Sequence, residues 1–156
     1  MSFQISGLEP DQFSHLFGLS DDVLKQQGVI RYQVEECPGF PDRVGLRDMA
    51  IGETALLLNY EHLPVQSPYR SRHAIFICEG PQQAAHYIDQ VPDVMTRRVI
   101  SLRAFDEAHH IIHADLASGD EIRTSIEAFL ADPAVRYIHA HYAKPGCFAA
   151  EICRVP

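Results

Sequence analysis

The chain has 156 residues, 46% of them apolar and 22% charged, which excludes general disorder and fits one globular domain over residues 1–156. Its formal net charge of −8 argues against a nucleic-acid partner, because binding phosphates needs a surplus of cations. No apolar run could span a bilayer and Met1–Gln4 is unlike the start of a signal peptide, so we expect a cytoplasmic protein with no membrane partner.

The first half of the chain predicts two short helices followed by strands. We expect helices at Pro10–Phe17 and Asp21–Gln27, with Ser20 as the N-cap of the second and Gly28 as its stop. Alternating or apolar runs then predict strands at Val29–Val34, Arg43–Met49, Thr54–Tyr60 and His73–Cys78. The last two are joined by a long loop, Leu63–Arg72, and long loops on rigid strands often carry binding groups.

The second half predicts two helices and two pairs of strands. The helices are expected at Gln82–Gln90 and Glu121–Leu130. The second has an apolar stripe that we expect to be buried, formed by Ile122, Ile126, Phe129 and Leu130. The strands are expected at Arg98–Phe105, His109–Leu116, Tyr137–Tyr142 and Phe148–Val155. Short connections between strands favour an α+β fold, with three or four helices and one mostly antiparallel sheet, regular or strongly curled.

The stretch Tyr137–Phe148 holds the largest concentration of side chains that can bind ligands or take part in catalysis. His139 and His141 share one face of the predicted strand, with Cβ atoms about 6.5–7 Å apart, so both could reach one metal ion or one ligand. A metal would need a further ligand, for which the candidates are His73, His109, His113 and Cys147. The alternative is a pair of histidines on the polar side of a sheet.

A turn follows this strand at Lys144-Pro145-Gly146-Cys147. It fits type II, with a positive φ at Gly146, and because such turns suit hairpins poorly we expect a bulge or a longer loop. Cys147 is a candidate nucleophile, with His139 or His141 as its base and Lys144 favouring the thiolate. The alternative is a small residue that closes a tight turn.

Arg103 lies in a strand that is otherwise suited to burial. A buried arginine needs a carboxylate, a phosphate or backbone carbonyls as its partner. A structural partner could be one of the nearby acids Asp106, Glu107 and Asp115. The functional alternative is an anion clamp for a substrate. Four other residues around the long loop could supply stacking surfaces and anion recognition, namely Tyr60, Tyr69, Arg70 and His73.

Three stretches of the chain carry a family resemblance: Leu56–Cys78, Leu102–Asp106 and Ile138–Ala149. They resemble a family of small bacterial proteins of similar length, a domain of unknown function. The resemblance implies a bacterial, cytoplasmic, single-domain protein, and it brings no activity, cofactor or catalytic residue. It also implies that residues 67–72, Arg103 and the hairpin at residues 139–147 belong to one pattern.

Three hypotheses about function follow. The first is an enzyme or binding protein for a small anionic ligand, with His139, His141 and Cys147 in catalysis. Its ligand-binding residues would be Tyr60, Tyr69, Arg70, His73, Arg103 and Lys144. The second is a metalloprotein built on His139 and His141. The third is a partner-binding or self-associating domain that offers a sheet edge or an apolar patch, and no sequence pattern identifies a cofactor.

Overall fold

The computed structural model describes all 156 residues, which form eleven strands and three α-helices. The strands are β1 (Phe3–Ser6), β2 (Ile30–Gln33), β3 (Pro41–Asp42), β4 (Arg47–Asp48), β5 (Thr54–Leu63), β6 (Ser71–Cys78), β7 (His86–Ile88), β8 (Ile100–Phe105), β9 (Ile111–Ala117), β10 (Tyr137–Tyr142) and β11 (Phe148–Arg154). The helices are α1 (Asp21–Gln26), α2 (Asp93–Thr96) and α3 (Glu121–Leu130). The longest helix has ten residues, which is too short to cross a bilayer.

The strands form two sheets. A six-stranded sheet has the order β7-β1-β11-β10-β8-β9, and a five-stranded sheet has the order β2-β5-β6-β3-β4. All pairs are antiparallel except β3 with β6. The predicted α+β class and mostly antiparallel pairing are therefore confirmed, whereas the prediction of one sheet is wrong. Periodicity within a strand does not reveal which strands share a sheet.

The larger core lies on one face of the six-stranded sheet. Helix α3 buries its predicted stripe there, with Ile122 and Ile126 fully inaccessible to solvent. Ile138 and Ala140 of β10 belong to the same core. Burial of one such isoleucine side chain contributes about 1.5–3 kcal/mol. Because side chains alternate across a strand, the histidines of β10 point to the opposite face, toward β5 and β6.

Residues 82–90 do not form the predicted helix. Residues His86–Ile88 are strand β7, which pairs with β1 at the edge of the six-stranded sheet. The Gln82 side-chain amide hydrogen-bonds with the carbonyl of Cys78 instead of facing solvent. Pairing with a strand at least 80 residues away therefore overrides the local helical pattern.

The predicted N-terminal helix is also wrong in detail. Pro10–Gln12 and Ser14–Leu16 form two short 3-10 turns, whereas the helix capped by Ser20 is confirmed at Asp21–Gln26. The Ser20 hydroxyl accepts a hydrogen bond from the amide of Val23, as an N-cap should.

The predicted strand at Arg43–Met49 is confirmed only at Arg47–Asp48, which is β4, whereas residues 43–46 form a turn that Asp42 explains. Its buried carboxylate accepts hydrogen bonds from the amides of Val44 at 3.2 Å and Gly45 at 2.7 Å. It also accepts one from the amide of Cys78 in β6 at 2.9 Å. An aspartate that binds the amides two and three residues ahead holds the backbone in a turn.

Replacing Asp42 with alanine is expected to lower the free energy of unfolding by about 3 kcal/mol, because three amides would lose a charged acceptor. Urea unfolding followed by circular dichroism measures this loss. The exposed Asp115 provides the control, and its replacement with alanine should cost less than about 0.5 kcal/mol. Equal losses in the two variants would contradict the role assigned to Asp42.

Candidate functional site

Four histidines from three strands meet between the two sheets. They are His62 of β5, His73 of β6, and His139 and His141 of β10. The ring centroid of His62 lies 5.0 Å from that of His73, 4.9 Å from that of His139 and 4.8 Å from that of His141. His62, His139 and His141 are buried, and His73 is partly exposed. We call these four residues the histidine cluster.

Strand pairing places the cluster. Tyr60 of β5 pairs with His73 of β6, and the register shifts between Tyr60 and Leu63. In this irregular stretch His62 stacks on His73 and faces both histidines of β10. On the other side, His139 pairs with Arg103 across β8 and β10. The cluster therefore depends on three strands from two sheets, and the alternation predicted for His139 and His141 accounts for only one of them.

Two histidines of the cluster belong to a chain of hydrogen bonds. His139 Nε2 lies 3.1 Å from the Glu151 carboxylate, and His139 Nδ1 lies 2.7 Å from His62 Nδ1. His62 Nε2 lies 2.8 Å from Ser71 Oγ. With neutral rings only one arrangement satisfies every pair: His139 Nε2–H donates to Glu151, and His62 Nδ1–H donates to His139. His62 Nε2 therefore carries a lone pair, which accepts from the hydroxyl of Ser71.

The hydrogen bond from Ser71 can be exchanged. The backbone carbonyl of Tyr69 lies 3.1 Å from Ser71 Oγ and offers the hydroxyl a second acceptor. If the hydroxyl turns to that carbonyl, the lone pair on His62 Nε2 becomes free for another partner. The exchange replaces one hydrogen bond with another, so it costs little.

The other two histidines present nitrogens that have no hydrogen-bond partner. His141 Nδ1–H donates to the carbonyl of Gly146 at 3.0 Å, which leaves a lone pair on Nε2. His141 Nε2 and His73 Nδ1 are both buried and unpaired. Buried polar atoms without a partner are rare in folded proteins, and each calls for an explanation such as a bound ion or ligand.

The histidines that carry these lone pairs are neutral near pH 7. Burial, then the neighbouring histidines and Arg103, lower the pKa of His62 to about 2. Burial is also the main reason that the pKa of His141 falls to about 3. The pKa of His73 is lowered by burial and by Arg103. Neutral imidazole is the form that binds metal ions.

Arg103 adds positive charge beside the cluster without a carboxylate to balance it. Its one side-chain hydrogen bond runs from Nε to Ser101 Oγ at 3.3 Å, and burial lowers its pKa. None of the three acids considered as its structural partners forms an ion pair with it. Asp106 caps the following turn by accepting from the amide of His110, and Glu107 lies 3.7 Å from Arg136.

Three other residues of the predicted site lie around the long loop. Tyr60 packs against Phe148, with ring centroids 6.0 Å apart, and the Phe148 ring stacks on His62. Tyr69 is exposed, and Arg70 pairs with Glu61 at the surface. Neither Tyr69 nor Arg70 forms a side-chain hydrogen bond with the cluster, so Tyr60 alone of the three borders it. The remaining metal candidates lie elsewhere, with His109 bonded to Tyr137 and His113 paired with Asp132.

Cys147 does not form the expected pair with a histidine. Its sulfur lies 3.0 Å from Nη2 of Arg43 and has no hydrogen bond to His139 or His141. Cys147 and Lys144 line a separate cavity of about 670 Å³, which His73 also borders. The predictions of a bulge in this hairpin and of a positive φ at Gly146 are confirmed, with a register shift after Ala140 and a φ of 79°.

Sequence reasoning missed His62, Ser71 and Glu151 as members of the site. The sequence predicts a strand that ends at Tyr60, whereas β5 continues to Leu63 and includes His62. Glu151 lies opposite His139 in the β10–β11 hairpin. That pairing could be sought by counting residues outward from the predicted turn along both strands. The count fails here, because the bulge in the hairpin shifts the register by one residue.

Comparison with known proteins places the chain in a family but brings no activity. No curated protein sequence and no solved structure matches the chain. A family model described as a protein of unknown function, DUF1203, matches residues 39–154. That range contains all four histidines of the cluster, together with Arg103 and Glu151. The match covers more than half of the sequence, and the chain therefore belongs to the DUF1203 family of proteins of unknown function.

Proposed function

We propose that this protein binds one divalent transition-metal ion through His62, His73 and His141. One observation carries the proposal: one ring nitrogen from each of the three lies within 4.8 Å of the others, and buried nitrogens of His73 and His141 have no hydrogen-bond partner. A bound cation would satisfy both unpaired atoms at once. Hydrogen bonding alone leaves them unexplained.

The ligand set indicates which ions would bind. Three imidazoles without a thiolate or a carboxylate suit zinc, copper, nickel or iron rather than magnesium or calcium. Tetrahedral zinc with Zn–N bonds of about 2.0–2.1 Å needs nitrogens about 3.3 Å apart. A pair at the 4.8 Å limit would therefore close by about 1.5 Å on binding. His73 is partly exposed, so its ring has room for that movement.

Groups behind the ligands would orient them. The Gly146 carbonyl accepts from His141 Nδ1–H and so directs the lone pair of Nε2. His62 donates to His139, which donates to Glu151, and this chain ends in a negative charge. Metal-binding histidines commonly donate their second ring N–H to a carbonyl or a carboxylate in this way, which raises their basicity.

Three protein ligands leave a coordination position open, as in catalytic rather than structural zinc sites. Arg103 stands beside the cluster without a carboxylate partner, and its charge lowers the pKa values of His62, His73 and His141. An anionic group on the metal would balance that charge. We therefore infer that the ligand of the open position is a hydroxide or the anionic group of a small substrate.

Zinc titration of tag-free, chelator-treated protein tests the metal site. We expect one ion to bind per chain by calorimetry, and one Co²⁺ to give the visible absorption of a tetrahedral site. His73→Gln and His141→Gln should each weaken binding by more than the roughly 10–100-fold typical of outer-shell changes, since each removes a ligand.

His113→Gln is the matched control, because His113 is exposed and pairs with Asp132 away from the cluster. This variant should bind zinc as the wild type does. Absence of stoichiometric binding, or wild-type affinity in both His73→Gln and His141→Gln, would contradict the proposal. The histidine cluster would then be a hydrogen-bonded part of the core.

A further inference from the structure

The cavity of about 670 Å³ beside the hairpin turn is a region of positive charge in an acidic protein. Four cationic residues line it, namely Arg43, Arg97, Arg98 and Lys144. One carboxylate, that of Asp48, lies 3.0 Å from Arg97 and 2.6 Å from Arg98. Four cations against one carboxylate leave a surplus of three positive charges, whereas the whole chain carries −8. Such a concentration of one sign attracts small anions.

The remaining walls are mostly apolar. They include Pro41, Leu57, Phe76, Val99 and Pro145. Pockets of about 300–1,000 Å³ with an apolar lining and a few convergent polar groups are typical of small-molecule sites. The lining therefore fits a molecule with an apolar body rather than a bare inorganic ion.

Tyr142 supplies a polar group that nothing in the protein satisfies. Its side chain is 3% exposed, and its hydroxyl is buried without a hydrogen-bond partner. The guanidinium carbons of Arg43 and Arg98 lie 4.8 Å and 5.3 Å from the centre of its ring. Burial raises the pKa of Tyr142 to about 12, so the phenol keeps its proton and can donate it in a hydrogen bond.

The four cations do not have the same freedom to bind a ligand. Arg43 already donates from Nε to the Phe148 carbonyl, from Nη1 to the Pro41 carbonyl and from Nη2 to Cys147. Arg97 and Lys144 are exposed, and Lys144 has no partner within the protein. Lys144 therefore offers free donors at the rim of the cavity, and Arg97 offers there the donors that its ion pair with Asp48 does not use. Tyr142 belongs to the wall of the cavity.

We propose that this cavity binds a small organic anion with an aromatic or apolar body and a phosphate or carboxylate head group. The head group accepts hydrogen bonds from Arg97 and Lys144 at the rim and from the hydroxyl of Tyr142. The body packs against the apolar wall formed by Leu57 and Phe76. The proposal does not depend on the metal site, although His73 borders both places.

Calorimetric titration of chelator-treated protein with phenyl phosphate and with benzoate tests the proposal. At least one probe should bind saturably at a single site, and the tighter of the two identifies the preferred head group. Phenol, which lacks the charge, and inorganic phosphate, which lacks the ring, should each bind at least about tenfold more weakly. Saturable binding of neither aromatic anion would overturn the proposal.

Tyr142→Phe is the sharpest variant. Its hydroxyl has no partner in the free protein, so its removal should leave the melting temperature unchanged or raised, while the affinity for the tighter probe falls about tenfold. Arg97→Gln combined with Lys144→Gln should also weaken binding about tenfold. The control is Arg136→Gln, which removes an exposed charge elsewhere and should bind as the wild type does.

Wild-type affinity in Tyr142→Phe, or an equal loss in Arg136→Gln and in the Arg97/Lys144 double variant, would overturn the proposal. Because the protein is free of metal in these experiments, such a failure says nothing against the metal site. A failure of zinc to bind would likewise leave the cavity proposal standing.

Discussion

Acidification of the metal-free protein from pH 7.5 to pH 5 is expected to lower its free energy of unfolding by about 4 kcal/mol. His62 and His141 stay neutral in the folded protein, with pKa values lowered to about 2 and about 3, chiefly by burial. In the unfolded chain each titrates near 6.5. Below that pH the unfolded state gains protons that the folded state does not, so stability falls by about 1.4 kcal/mol per pH unit for each histidine.

The pH window follows from the direction of these shifts. A lowered folded pKa means that the stability is fully present above about pH 6.5 and is lost as the pH falls toward the folded values. The groups that face the two rings are His73, His139 and the cationic Arg103, which oppose protonation. Glu151 favours positive charge but contacts His139 alone among the histidines. A loss of about 4 kcal/mol is a large part of the 5–15 kcal/mol that stabilises a typical domain.

Urea unfolding at a series of pH values in the presence of chelator measures this dependence. His141→Gln should remove about half of it, because one of the two titrating groups is gone. His15→Gln, which changes an exposed histidine, should leave it unchanged. A total change below about 1 kcal/mol would contradict the buried, neutral state assigned to both rings.

Replacement of Arg43 with methionine is expected to cost about 3 kcal/mol, with a fall of about 10 °C in melting temperature. Arg43 is 1% exposed, and its guanidinium donates to the carbonyls of Phe148 at 2.8 Å and Pro41 at 2.6 Å. It follows β3 of one sheet and reaches β11 of the other, so it joins the two sheets. Methionine would fill much of the volume but leave both carbonyls without a donor.

A competing effect limits this loss. Burying a guanidinium without a carboxylate partner destabilises the folded state through desolvation. Its replacement with methionine removes that desolvation penalty and so regains part of the lost free energy of unfolding. The loss should still be larger than this gain. Each unsatisfied carbonyl destabilises the protein by about 1–3 kcal/mol, and the packing of the side chain is lost as well. Arg136→Met at an exposed site is the control, measured by the same thermal and urea unfolding. Similar stability in the two variants would show that Arg43 does not hold the sheets together.

Local pattern was sufficient where each residue interacts with its near neighbours. Alternation placed His139 and His141 on one face of β10, and the helical stripe with Ile122 and Ile126 identified α3. The same short-range chemistry predicted the positive φ at Gly146 and the cap at Ser20. These features depend on backbone sterics and on side-chain periodicity, which are properties of consecutive residues.

Local pattern failed where distant segments compete for the same residues. Strand β7 forms in a segment whose sequence predicts a helix, because its backbone forms hydrogen bonds with β1. The turn at residues 43–46 replaces the first part of a predicted strand, because the Asp42 carboxylate is shared between that turn and β6. In both cases long-range hydrogen bonds outweigh the local preference.

The sequence by itself determined the α+β class, most of the long strands, and the shared face on which His139 and His141 lie. Only the tertiary structure decided that β5 and β6 of one sheet meet β10 of the other, which brings in His62 and leaves two imidazole nitrogens buried without partners. The physical reason is that periodicity tells which side of a strand a residue occupies, whereas the surface facing that side is set by pairings between residues far apart in the chain.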